Sequence, residues 1–114
     1  MNIQLRRAAL PIVLVVTALG AAGCSSGHSS TSKSAVTIKN FAFAPSPASA
    51  TAGQPLQVRN ADDTAHTFTA DDGSFDTGPI AGGQTRAITP RAPGTIHYHC
   101  SIHTYMTGTL SVSR

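Results

Sequence analysis

The chain has 114 residues, with eight Lys and Arg against five acids, all of them Asp. That length allows one domain. Cations are scattered without a basic stripe or basic-aromatic interleaving, so nucleic acid is not an expected partner.

Residues 1–23 are not read as fold. Arg6 and Arg7 precede a short apolar run, ALPIVLVVTAL, which ends in small residues before Cys24. A positive start, a short apolar centre and a small-residue cleavage region make a secretory signal peptide. The apolar run is too short to span a bilayer. The sequence AAGC before a Ser-rich stretch is similar to a bacterial lipobox. Cys24 is therefore the expected lipid-bearing residue, and the membrane partner is reached through that anchor. Residues 25–34, SSGHSSTSKS, have the composition of a flexible tether, and His28 lies within it. Without Arg6 and Arg7, six Lys and Arg face five Asp, and the charge of the rest is nearly balanced.

The folded domain is expected over residues 35–114. AVTIKNFAF (35–43) alternates as a strand, with Val36, Ile38, Phe41 and Phe43 as apolar anchors. Residues 44–55 form a turn-rich connection with room for a short edge strand. Leu56 and Val58 share one face of PLQVRN (55–60). HTFTA (66–70) is β-branched and aromatic. A long loop, rich in Gly and Asp, covers 71–84. QTRAITP (84–90) alternates again. GTIHYHC (94–100) places Ile96, Tyr98 and Cys100 on one face, with His97 and His99 on the other. TGTLSVS (107–113) closes the chain with Leu110 and Val112 facing one way. No segment has sustained helical periodicity. Seven to eight short strands at this spacing predict an all-β Greek-key sandwich. Phe41, Phe43, Phe68 and Phe75 are expected in its core. Asp71, Asp72 and Asp76 are expected as solvated loop charges.

The chemistry concentrates in HYHCSIHTYM, residues 97–106. Cys100, His103 and Met106 are spaced three and three between two predicted strands. A tight loop can bring such side chains around one point. Thiolate, thioether and imidazole are copper donors, and type 1 sites use two imidazoles, one thiolate and a weak axial thioether. The second imidazole must come from elsewhere. His66, at the start of a predicted strand, is the candidate. Cys100 has no cysteine partner within the folded part, and Met106 is the only methionine after the leader. A Cys-His nucleophilic pair would leave Met106 unexplained. A zinc site would have little use for the thioether.

YHCSIHTYMTGTLSV, together with VTIKNFAFAP and VRNADDTAHTFTAD, resembles the cupredoxin family, in particular its short-loop plastocyanin-like members. The resemblance covers residues 35–114. It implies a Greek-key β-sandwich holding one type 1 copper ion, with His66, Cys100, His103 and Met106 as its ligands. It implies one-electron transfer with redox partner proteins. Many members have proline beside the loop histidine, where this chain has Ile102 and Thr104. The residue after the first histidine ligand is often Asn, and here it is Thr67, whose N–H could still bond the Cys100 sulfur. Asn60 and Asp62 suit Asx turns, and family analogy gives them the task of pinning the two ligand loops together.

The expected protein is thus a monomeric blue copper carrier, exported as a cell-envelope lipoprotein or secreted, and not an enzyme. The alternative is a copper-binding protein for storage, delivery or tolerance. His99, covalently next to Cys100, is a candidate electron exit on the flank of the sandwich.

Overall fold

The computed structural model describes Gly23 and residues 33–114. The leader and Cys24 expectations lie outside the described residues, as does most of the tether. Every regular element among the described residues is a strand. The eight are β1 (Ala35–Lys39), β2 (Ala42–Ala44), β3 (Ala48–Thr51), β4 (Leu56–Asn60), β5 (Thr69–Ala70), β6 (Thr85–Ile88), β7 (Gly94–His99) and β8 (Thr107–Ser113).

They form two four-stranded sheets, ordered β2-β1-β4-β6 and β3-β8-β7-β5. β1 runs parallel to β4, and β3 runs parallel to β8. The remaining ladders are antiparallel. Two-residue alternation decides what faces inward. Val36 and Ile38 of β1, Leu56 and Val58 of β4, and Leu110 and Val112 of β8 are all buried. The sheets meet over this apolar layer. One end of it is aromatic: Phe68 stacks on Phe75, and both Phe43 and Phe68 pack on Tyr98.

The connection from β2 to β3 switches sheets through Ala44-Pro45 and Ser46-Pro47, both cis peptide bonds. It delivers β3 to the outer edge of the second sheet. The edge strand expected between 44 and 55 is therefore β3.

Residues 35–43 are not one strand. β1 and β2 form a hairpin in which Ile38 opposes Phe43 and Lys39 opposes Ala42. The turn is Asn40-Phe41, with φ of 51° and 58°. Positive φ at both central residues is the mark of a type I′ turn, whose twist suits a two-residue hairpin. The turn resets the alternation: inward positions are even in β1 and odd in β2. Phe43 is buried as expected. Phe41 is not, being 40% exposed at the tip of the turn. Its expected place in the core is corrected accordingly.

The stretch expected as a strand at 66–70 is mostly irregular. Only Thr69–Ala70 is a strand, and His66 is held instead by an isolated bridge to Ile80. That bridge anchors the loop carrying His66 to the 71–84 connection.

Candidate metal centre

Three elements converge at one end of the sandwich. They are the loop after β4, the loop from β7 to β8, and the β1–β2 turn.

The loop after β4 is fixed from inside. Asn60 is fully buried, and its side-chain amide donates to the carbonyls of Thr64 and Ile80 at 2.7 and 2.8 Å. Its Oδ1 accepts the N–H of Asp62 at 2.9 Å. Gly82 packs so closely on this loop that an added Cβ would sit 2.7 Å from the Asp63 carbonyl oxygen. Backbone bonds between His66 and Ile80, at 3.1 and 2.7 Å, complete the frame. His66 leaves this frame wholly buried.

The loop from β7 to β8 closes on itself. The Cys100 N–H donates to the Met106 carbonyl at 3.0 Å, and the Met106 N–H donates to the His103 carbonyl at 2.9 Å. Spacing of three and three therefore gives a compact loop, as its length between two strands predicts. Cys100 and Met106 are buried and His103 is half-buried.

The donor atoms face each other. The Cys100 Sγ lies 3.9 Å from His66 Nδ1 and 3.8 Å from His103 Nδ1. The two Nδ1 atoms are 3.2 Å apart. All three lie within 4.8 Å of one another, the spacing of a metal-ligand group. The sulfur also accepts two backbone N–H groups, from Thr67 at 3.3 Å and His103 at 3.4 Å.

The other nitrogen of His66 selects the tautomer of its neutral ring. Nε2 lies 2.9 Å from Asp62 Oδ2. The Phe41 N–H is the main cause that holds the Asp62 carboxyl below its ordinary range; the Asn40 N–H and His66 act in the same direction. An ionised carboxylate only accepts, so Nε2 carries the proton of the neutral imidazole and Nδ1 is the nitrogen left to bind a metal. That nitrogen, the Nδ1 of His103 and the Cys100 sulfur face one small volume. The group that fits is a cation taking soft and borderline donors. Met106, buried, closes the base of the same loop through its backbone bonds to Cys100 and His103.

Of the four donors expected from the sequence, His66, Cys100, His103 and Met106, the structure brings the first three together. The expected Thr67 N–H contact to the sulfur is present. Other details differ. Asn60 and Asp62 do not pin the two ligand loops to each other. Thr67 does so, through its N–H and through Oγ1, which accepts the Ser101 N–H at 2.7 Å. Asp71 is not merely a solvated loop charge, because Oδ1 binds His99 Nδ1 at 2.5 Å. Asp72 and Asp76 cap backbone N–H groups of Ser74 and Gly78. Two residues were missed as parts of the site: Asp62 as the partner of His66, and Phe41, whose ring stands edge-on to both imidazoles.

A family model described as a cupredoxin-like domain matches residues 10–112. The chain belongs to the cupredoxin-like family.

No curated protein matches the chain. Among solved structures, this cupredoxin is similar to a methionine-to-leucine variant of oxidized amicyanin. The two share 19% identity and a TM-score of 0.64, over 72% of this chain and 83% of the other. A proline-to-glycine variant of amicyanin, in its reduced Cu(I) form at pH 4, matches at 21% identity and TM-score 0.62, over 69% and 80%. A Cu-containing nitrite reductase from Thermus scotoductus matches at 26% identity and TM-score 0.64, over 71% of this chain but only 22% of its own. These likenesses show the fold. The donor set is the chain's own.

Proposed function

We propose that this cupredoxin holds one copper ion as a type 1 centre and carries one electron at a time between redox partner proteins. The observation that carries the reading is the convergence of His66 Nδ1, His103 Nδ1 and Cys100 Sγ within 4.8 Å in a largely buried site. Copper supplies a one-electron Cu(I)/Cu(II) couple. Cys100 would give the strongest bond and the main electronic path. His66 and His103 would complete the plane. Met106 would act as the weak axial ligand, whose identity tunes the potential.

The protein scaffold supports a carrier. His66 and Cys100 are fixed by hydrogen bonds that do not depend on a metal, so little need move when the charge changes. His103 alone among the three close donors is half-buried, and it marks the route to the surface. Among the described residues, the exposed large apolar side chains, Phe41, Ile102 and Tyr105, all belong to this end of the molecule. Two of them pack near the His103 ring, with centroids at 5.0 and 6.2 Å. A partner seated on them would meet the imidazole edge with little polar surface to desolvate. In this reading no substrate bond is made or broken, and the protein is a monomeric carrier, not an enzyme.

The N-terminal sequence supports a place of action at the cell envelope in this reading. Residues 1–23 export the chain, and a lipid on Cys24 holds it at the cell envelope. A Cys24→Ser variant is expected to leave the membrane fraction; retention there would remove the anchor from the account.

Electron self-exchange measured by NMR line broadening, alongside copper loss to EDTA, tests the carrier role. Fast exchange with slow loss is expected. Rapid loss with sluggish exchange would instead favour copper storage, delivery or tolerance.

A further inference from the structure

One carboxylate does two jobs beside the metal centre. Asp62 Oδ1 accepts the Asn40 N–H at 2.6 Å. Oδ2 accepts the Phe41 N–H at 3.0 Å and the His66 Nε2–H at 2.9 Å. Its side chain is only 11% exposed. Its own backbone is tied to buried Asn60. The carboxylate is thus engaged through both oxygens, and it clasps the β1–β2 turn to a ligand histidine.

The turn itself is unusual. Type I′ turns favour Asn followed by Gly, because both positions need positive φ. Asn40 fits that rule. Phe41 does not, for a bulky residue at φ 58° is an outlier that must be held in place. Yet its ring is not spent on the core. It lies 5.1 Å from His66 at 88° and 5.0 Å from His103 at 84°, edge-on to both. Its other side meets solvent. A strained backbone that puts an aromatic ring over two imidazoles points to a task for the ring.

We propose that Asp62 and Phe41 form a clasp-and-lid that retains the metal: Asp62 fixes the His66 ring and the hairpin tip together, and Phe41 roofs the two imidazoles against water and competing ligands. This deepens the copper reading and rests on it. Asp62 is a positioning residue here, acting through His66 and Phe41. A carboxylate behind a ligand histidine commonly matters 10–100-fold for metal affinity. Shielding by the lid adds a kinetic barrier that a turn-capping role alone would not supply.

Phe41→Gly separates the ring from the turn, since glycine suits the backbone better than phenylalanine does. The Cu(II)-loaded protein is challenged with excess EDTA, and decay of the blue band is timed. Phe41→Gly is expected to release copper about tenfold faster while folding at least as stably. Asp62→Ala is expected to release it faster still, and adding Phe41→Gly to that variant should bring much less than its effect alone. NMR of the metal-free wild type should show the His66 Nε2 proton protected from solvent, with contacts from the Phe41 ring to both imidazoles. Release rates within twofold of wild type in Phe41→Gly would overturn the lid. A His66 ring protonated on Nδ1 in the metal-free wild type would overturn the clasp. A wild type with no blue band would instead defeat the copper reading, and the NMR result would still decide whether clasp and lid exist.

Discussion

Among the described residues, Tyr98 carries a buried polar atom without a partner. Its ring fills the core beside Phe43 and Phe68, but its hydroxyl is buried with no hydrogen-bond partner. Burial pushes its pKa up from 10.0 to about 12. A buried orphan hydroxyl costs about 1–3 kcal/mol in protein mutational data. Tyr98→Phe keeps the ring and removes the orphan, so metal-free stability in urea should be unchanged or raised, by up to about 1 kcal/mol. A clear loss would mean that the hydroxyl has a partner after all. The pH dependence follows from the same burial. The native state holds the phenolic proton more tightly than the unfolded chain does. That contribution is complete below pH 10 and is lost as pH rises through about 12. Tyr98→Phe should lack this component of alkaline destabilisation. At this same scale the ligands were legible. Cys, Met and His are rare enough here that three of them at equal spacing speak clearly. Asp62 was less so. A carboxylate four residues before His66 has no periodic signature, and its partnership depends on a hairpin distant in sequence.

At the scale of elements, β7 and β8 show how closely the sheets are made. Tyr98 opposes Gly108 in the ladder. A Cβ at Gly108 would lie 2.3 Å from the Tyr98 ring and hydroxyl. The missing side chain is what gives Tyr98 its space. Gly108→Ala should therefore cost about 1–3 kcal/mol through overpacking, read as a lower thermal midpoint of the metal-free protein. An unchanged midpoint would show that Tyr98 can swing aside freely. Alternation located most strands because one face of each is buried. It misread residues 35–43 because both halves of a hairpin are apolar. The clue was present in the phase. Val36 and Ile38 are even and Phe43 is odd, so an unbroken strand could not bury all three. Asn40, a residue that tolerates positive φ, marks the reset. The strand expected at 66–70 is shortened to β5 for another reason. β-branched composition at 66–70 reports propensity, whereas the backbone there is spent on the His66–Ile80 bridge and on contacts to Cys100.

For the whole molecule, the division of labour is between a sandwich that needs no metal and one end built to hold it. The apolar core takes in Cys100 and Met106 with the residues of β1, β4 and β8, and the Asn60 and Thr67 networks are complete without an ion. Removing copper should leave the far-ultraviolet circular dichroism unchanged. It should still lower the thermal midpoint, because a ligand bound only by the native state stabilises it by mass action. Collapse of the β signal on chelation would show that the fold depends on the metal. The two-sheet architecture was legible from strand count and turn spacing. The order of strands was not, since the cross-sheet passage of β3 depends on long-range pairing with β8. One measurement bears most directly on the central claim. The metal-free protein receives one equivalent of Cu(II), and its visible and electron-spin-resonance spectra are recorded. An intense blue thiolate-to-copper band with narrow hyperfine splitting is the predicted result. A pale solution with an ordinary tetragonal copper signal would contradict it, for His66, Cys100, His103 and Met106 would then not act on one ion.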